Sequence, residues 1–193
     1  MDGQDALITE IRRRLSIGLD ELCAIAPASR ASAAVVQHWD VDDSGRDALI
    51  RYGIPITPGN ASEVQLVGDI QQDPSAAIFD DGARGYKLGS HWRRTVVSLA
   101  GSGEVIGLPS SPPSNEIRLS GQFGPPVRIN SSVAAFVDIS WRWVGLRPLF
   151  MEADYGPAFE DGSEDFIEAV TRSDPAYGGD GSYRYWTDLM LGW

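Results

Sequence analysis

Apolar and polar positions follow three successive rhythms along the chain. Residues 4–26 place Leu7, Ile8, Ile11, Leu15, Leu19 and Leu22 at i, i+3 and i+4 spacing, which predicts an amphipathic helix with one buried face. Gly18 predicts a break or kink in it, and Pro27 its end. Ala31 to Trp39 is rich in alanine and valine and fits either a strand or a short helix. Asp40-Val-Asp-Asp-Ser-Gly45 predicts a turn, with Ser44 as N-cap of a helix through Tyr52 that Gly53 and Pro55 stop. From Glu63 to Asn130 the rhythm shortens. The β-prone runs are Val64–Val67, Ala76–Phe79, Gly85–Leu88, Thr95–Leu99, Glu104–Leu108, Glu116–Leu119 and Val127–Ile129. Glycine and proline separate them at intervals of about 8–12 residues, which predicts an antiparallel meander. Gly101-Ser-Gly103 reads as a hairpin turn within it, and residues 109–115 as a longer exposed loop.

Helical spacing then returns. One of Asn130, Ser131 and Ser132 is expected to cap a helix carrying Val133, Phe136, Val137, Ile139, Trp143 and Val144, ended by Gly145 and Pro148. Ser163-Glu164-Asp165 predicts the start of a helix from Phe166 to Arg172. Pro175 and Gly178-Gly179 separate it from a last aromatic helix, Tyr183 to Leu191. The chain length, 193 residues, suits a single domain, with residues 1–40 as an N-terminal helical extension.

Composition narrows the chemistry. Apolar residues make up 42% of the chain, enough for a core. The net charge of −11 would repel a phosphate backbone, so direct nucleic-acid binding is not expected; a basic protein partner is. The lone cysteine, Cys23, excludes an internal disulfide and reads as a buried, inert thiol. Only His38 and His91 are available as histidine ligands, so a three-histidine metal site is impossible. Asp40-x-Asp42-x-Ser44-Gly45 resembles half of a calcium loop, but its twelfth position is Arg51, which repels the ion. Gly101-x-Gly103-x-x-x-Gly107 has the wrong spacing for a dinucleotide loop and lacks a following helix. No serine lies in a G-x-S-x-G elbow. No metal and no cofactor are therefore expected. The N-terminus is acidic first and lacks the basic-then-apolar order of a signal peptide. No apolar stretch approaches the ~20 residues of a membrane span. The expected location is cytoplasmic.

Charge is unevenly spread. Residues 150–193 hold ten acids and two arginines, net −8, against −3 for the preceding 149 residues. Adjacent acids such as Asp80-Asp81, Glu160-Asp161 and Glu164-Asp165 read as solvated turns and helix starts. The C-terminal excess also suits a docking surface for a cationic protein.

Several short pieces occur in a telling order. Leu49-x-x-x-Gly53-x-Pro55 precedes Gly85-Tyr-Lys-Leu-Gly89, Val96-Val-Ser-Leu99 and Gly103-Glu-Val105. Then come Ile129-Asn-Ser-Ser-Val-Ala-Ala-Phe136, Asp174-Pro175-Ala176 and Tyr185-Trp186. Across residues 45–190 this order resembles the SUKH superfamily of bacterial immunity proteins, in particular its fourth subgroup. The resemblance implies an α+β fold, an antiparallel β-meander sheet packed by N- and C-terminal helices. It implies an antitoxin without a catalytic site, which binds and neutralises a toxin domain, often a nuclease or a nucleic-acid deaminase. No functional residue transfers with it. On the charge distribution, the expected contact falls on Glu160, Asp161, Glu164 and Asp165. Two other readings stand beside it: a scaffold module of the same fold without a toxin, and a small hydrolase whose turnover would depend on His38 or His91.

Overall fold

Gly18 divides the N-terminal helical pattern in two. In the computed structural model, which describes residues 3–57, 66–79, 82–91, 94–109, 125–177 and 185–191, α1 spans Gly3–Ser16 and α2 spans Leu19–Leu22. Gly18 is the extended N-cap of α2, and the turn it makes lets Ile11 and Leu22 enter the same core. The ambiguous alanine–valine stretch forms one helical turn, α3 (Ala33–Val36). Helix α4 (Asp43–Arg51) begins one residue before Ser44, so the cap is Asp42 instead. Its carboxylate accepts from the Gly45 amide at 2.8 Å and from the Ser44 hydroxyl at 3.0 Å. A carboxylate there also meets the positive end of the helix dipole. The half calcium loop is thus a helix cap.

Two strands escape the pattern altogether. β1 (Ala28–Ser29) and β2 (Ile54–Pro55) pair antiparallel, and two residues are too few to show alternation. The larger sheet contains β3 (Val67–Gly68), β4 (Ala77–Ile78), β5 (Arg84–His91), β6 (Arg94–Leu99), β7 (Val105–Pro109) and β8 (Val127–Asn130). Its order is β3-β5-β6-β7-β8, with β4 also on β5, and every pairing is antiparallel. The expected meander is present, and Gly101–Gly103 is the β6–β7 hairpin turn. An Ile56–Val67 bridge links the two sheets. The expected run Glu116–Leu119 and loop positions 110–115 lie outside the described residues, as do Val64 and Gln65.

The helices after the sheet depart most from expectation. Helix α5 runs from Val133 to Ala153, through both Gly145 and Pro148. Pro148 removes one helical hydrogen bond and crowds the preceding turn, a cost of about 3 kcal/mol. Beyond it, Leu149, Phe150 and Ala153 are buried, and each large apolar side chain contributes roughly 1.5–3 kcal/mol. Burial outweighs the local break. Gly145 serves close packing: a Cβ there would lie 3.1 Å from Ile25 Cδ1 and 3.4 Å from Leu22 Cδ2. The chain leaves α5 through Asp154 and Tyr155, at φ of 45° and 56°. Helix α6 (Pro157–Ser173) then starts six residues before Ser163, with Pro157 in its first turn, where a missing N–H costs nothing. Ala158, Phe159, Gly162, Phe166, Ala169 and Val170 form its buried stripe. Helix α7 (Tyr185–Leu191) closes the described fold.

Helix α5 organises the core. It buries 13 of its 21 residues, apolar on nearly every side, as expected of a helix enclosed by neighbours. It packs against α1, α2, α4, α6, β2 and β8. Trp143, Phe150, Phe159 and Phe166 form a continuous aromatic cluster, with centroid separations of 5.7–6.4 Å. Phe166 continues it to Trp186 of α7. Arg142 donates to the Leu15 carbonyl at 2.7 Å, and Arg14 to the Gly145 carbonyl at 2.5 Å, which pins the end of α1 to α5. The sheet presents Tyr86, Leu88, Val96, Val105 and Ile129 to this core. A second small cluster, Val97, Ile106 and Leu108 with Phe79 and Leu99, occupies its other face.

Gly53 is the most constrained position. Its φ is +67°, and a Cβ would lie 2.2 Å from the Ser29 carbonyl oxygen. Its own carbonyl accepts from Trp141 Nε1 at 3.0 Å. Gly53→Ala is therefore expected to lower stability by about 2 kcal/mol or more, combining a left-handed penalty with displacement of β1. Denaturant unfolding with an unchanged m-value checks this.

Candidate functional site

Asn130, Ser131 and Ser132 do different things. Ser132 is the N-cap of α5; its hydroxyl accepts from the Ala135 amide at 3.2 Å. The expectation that one of the three caps the helix holds, but Asn130 and Ser131 turn elsewhere, to the buried carboxylate of Asp174. Asn130 Nδ2 donates to Asp174 Oδ2 at 2.9 Å, and the Ser131 amide donates to the same oxygen at 2.7 Å. The Ser131 hydroxyl reaches Oδ1 at 2.6 Å, and the Ala176 amide reaches it at 3.3 Å. Asn130 Oδ1 in turn accepts from Trp186 Nε1 at 3.1 Å. Asp174, Asn130 and Trp186 are all buried. The donors among the described residues disperse the charge of a carboxylate that would otherwise be very costly in an apolar surround. The Asn-Ser-Ser, Asp-Pro and Tyr-Trp pieces thus meet in one polar hub, which holds β8, α5, the end of α6 and α7 together.

The two histidines lie apart in role. His38 is exposed, with its ring beside Gln37 Nε2 at 3.2 Å. His91, at the end of β5, is buried, and its Nδ1 meets the Tyr185 hydroxyl at 2.5 Å. Burial raises the Tyr185 pKa, with nearby Arg94 opposing the shift. The phenol keeps its proton and can donate it to Nδ1. Cys23 is half-buried against the core, and desolvation pushes its thiol up to about 11. Among the described residues, no cluster of three or more histidine, cysteine or acidic side chains is placed to hold a metal ion. No described helix is long and apolar enough to cross a membrane.

The four acids singled out by charge all lie on α6. Because the helix starts at Pro157, Glu160 and Asp161 are helical, not turn residues. Glu160, Asp161 and Glu164 are exposed. Asp165 differs: Arg12 Nε of α1 pairs with its carboxylate at 2.8 Å. Farther along, Arg172 pairs with Glu168 at 2.8 Å. The buried stripe and the acids occupy separate faces of the same helix, so folding segregates the charge that composition only counts. Pattern reasoning missed the hub, because Asn130 and Ser131 lie more than 40 residues from Asp174. The available signal was the Asp-Pro after an amphipathic helix, where a carboxylate stands at the boundary of an apolar stripe.

A family model described as SUKH-4 immunity protein matches residues 19–191. No curated protein and no solved structure matches the chain.

Asp174→Ala strands the Asn130 and Ser131 donors and should cost about 3–5 kcal/mol, while Ser131→Ala, which removes one hydrogen bond, should cost about 1–2 kcal/mol. Unfolding curves for the two variants test that ranking. For Cys23, a thiol pushed up to about 11 is almost wholly protonated at pH 8. Iodoacetamide should modify the folded chain about a hundredfold more slowly than the urea-unfolded chain, with the gap closing as pH rises toward the folded value.

Proposed function

The chain belongs to the SUKH-4 immunity protein family, and from that premise we propose that it is an antitoxin acting by stoichiometric protein–protein binding. It occupies a cognate toxin domain, a nuclease or a nucleic-acid deaminase, and excludes the substrate. It performs no chemistry of its own and works in the cytoplasm. The observation that carries this reading beyond the family is the charge on α6. Enzymes that act on nucleic acid present cationic clefts to phosphate, and an acidic helix face is complementary to such a cleft. Glu160, Asp161 and Glu164 stand in solvent, and Asp165 flanks them beside Arg12. Long-range attraction of this kind accelerates encounter more than it slows departure, and rapid capture is what protection from an enzyme demands.

The partner is isolated by affinity purification of the tagged chain from its native host at low and high salt, and its toxin domain is then produced alone. Association with the wild-type chain should slow steeply as salt rises. Replacing Glu160, Asp161, Glu164 and Asp165 together by lysine should lower the association rate by about tenfold or more at low salt, with a smaller change in dissociation. Circular dichroism controls for the lost Arg12 pairing. A charge-reversed chain that associates and protects as well as the wild type would show that this surface is wrong.

A further inference from the structure

The turn between α5 and α6 combines two properties, exposed large apolar side chains and an excess of acids. The described chain exposes five large apolar side chains: Ile25, Ile50, Ile78, Met151 and Tyr155. Met151 and Tyr155 fall within five residues of each other, each 59% exposed. Tyr155 is held, not dangling. Its ring lies 4.8 Å from that of Phe159, which is buried and packs at 5.7 Å on Phe150. An aromatic side chain propped on the core this way loses little freedom on binding, which is the character of an interface anchor. The segment around the turn, from the end of α5 through most of α6, is one-sided in charge. Residues 148–171 contain seven acids and no lysine or arginine. Glu152 and Asp154 adjoin the two apolar side chains in sequence, and Glu160 and Glu164 follow on α6; all four are exposed, and none of them forms an ion pair among the described residues.

We propose that this α5–α6 elbow is the anchoring centre of the interface, with Tyr155 and Met151 entering an apolar pocket of a basic protein whose lysine and arginine side chains meet the surrounding carboxylates. This rests on the antitoxin reading and adds to it the source of affinity. The charge decides the occupant. Across a twofold contact a second copy would bring the same carboxylates face to face. Nucleic acid and anionic lipid carry the wrong sign. A cationic protein pairs with the acids, and an arginine can stack on the Tyr155 ring. The elbow and the acids of α6 then divide the work: carboxylates steer the encounter, and the apolar pair retains the partner.

Tyr155→Gly tests this without unfolding the chain. The backbone there has φ of 56°, which glycine adopts more easily than tyrosine, so the melting temperature should hold. The probe is the purified toxin domain obtained by the capture described above, with binding kinetics measured by surface plasmon resonance. Tyr155→Gly is expected to raise the dissociation rate at least tenfold and leave the association rate within about twofold. A triple change of Glu152, Glu160 and Glu164 to glutamine should do the reverse, mainly slowing association. If Tyr155→Gly dissociates like the wild type at unchanged melting temperature while the wild type still protects, the elbow is overturned and the antitoxin reading stands. If the wild-type chain neither binds nor protects against the domain, that reading falls and the elbow with it. If sedimentation shows self-association that Tyr155→Gly abolishes, the occupant is a second copy and the proposal is overturned.

Discussion

A carboxylate buried without a dense set of donors would open this fold at the point where its parts meet. Asp174 follows α6, and its two oxygens accept from Asn130, from the amide and hydroxyl of Ser131, and from the Ala176 amide. Those donors sit where β8 ends and α5 begins. Asn130 passes the connection on to α7 by accepting from Trp186. A single charge therefore sets where the sheet hands over to the helices, and it does so by direction as well as by strength, since each donor must point at one oxygen. Removing the charge would relieve a desolvation cost but leave several donors pointing into an apolar interior, which is the costlier state.

The hub fixes only the start of α5, and the helix then runs through apolar surroundings. Leucine, tryptophan and phenylalanine side chains leave it in almost every direction, and α1, α2, α4, α6 and the strands β2 and β8 close around it. Arg142 and Arg14 fasten α1 through backbone carbonyls, so the first helix, which precedes the family match, is packed into the same core. Enclosure of α5 leaves α6 with only one face to bury. Its other face has to take solvent-compatible residues, and here these are mostly acids.

In the proposed reading, that division links stability to recognition. Arg12 and Arg172 take up Asp165 and Glu168, so part of the acidic excess is spent within the molecule. The remainder gathers toward the N-terminal half of α6 and the turn before it, where Tyr155 leans on a buried aromatic cluster. The same Phe150 and Phe159 that fill the core give the exposed tyrosine its support. Rigid placement on a packed scaffold would let the proposed surface hold a partner without a large ordering cost.

Strands of the larger sheet were legible in the sequence because an antiparallel meander writes itself locally, in short β-prone runs cut by glycine turns, whereas β1 and β2 were not; the expected run at Gly85–Leu88 lies within β5, and Gly101–Gly103 is the β6–β7 hairpin. The caps of α4 and α5 were legible in kind, though Asp42 took the place expected of Ser44, whereas α6 starts after Gly156 and not at Ser163–Asp165. Of the candidate surface, the acids were visible as composition. The sequence could not show that α5 passes through Gly145 and Pro148, because the local cost of a helix breaker is outweighed only by side chains burying against α1, α2 and α6. Nor could it show that Glu160 and Asp161 share a helix with Asp165, that Arg12 claims the last of these, or that Tyr155 stands outward beside them. By itself the sequence determined local conformation, charge balance and the order of the family's pieces, which depend on neighbours along the chain. Tertiary structure alone decided the meeting of Asn130, Asp174 and Trp186 and the acidic face with its apolar centre, because those depend on burial and on donors brought from distant segments.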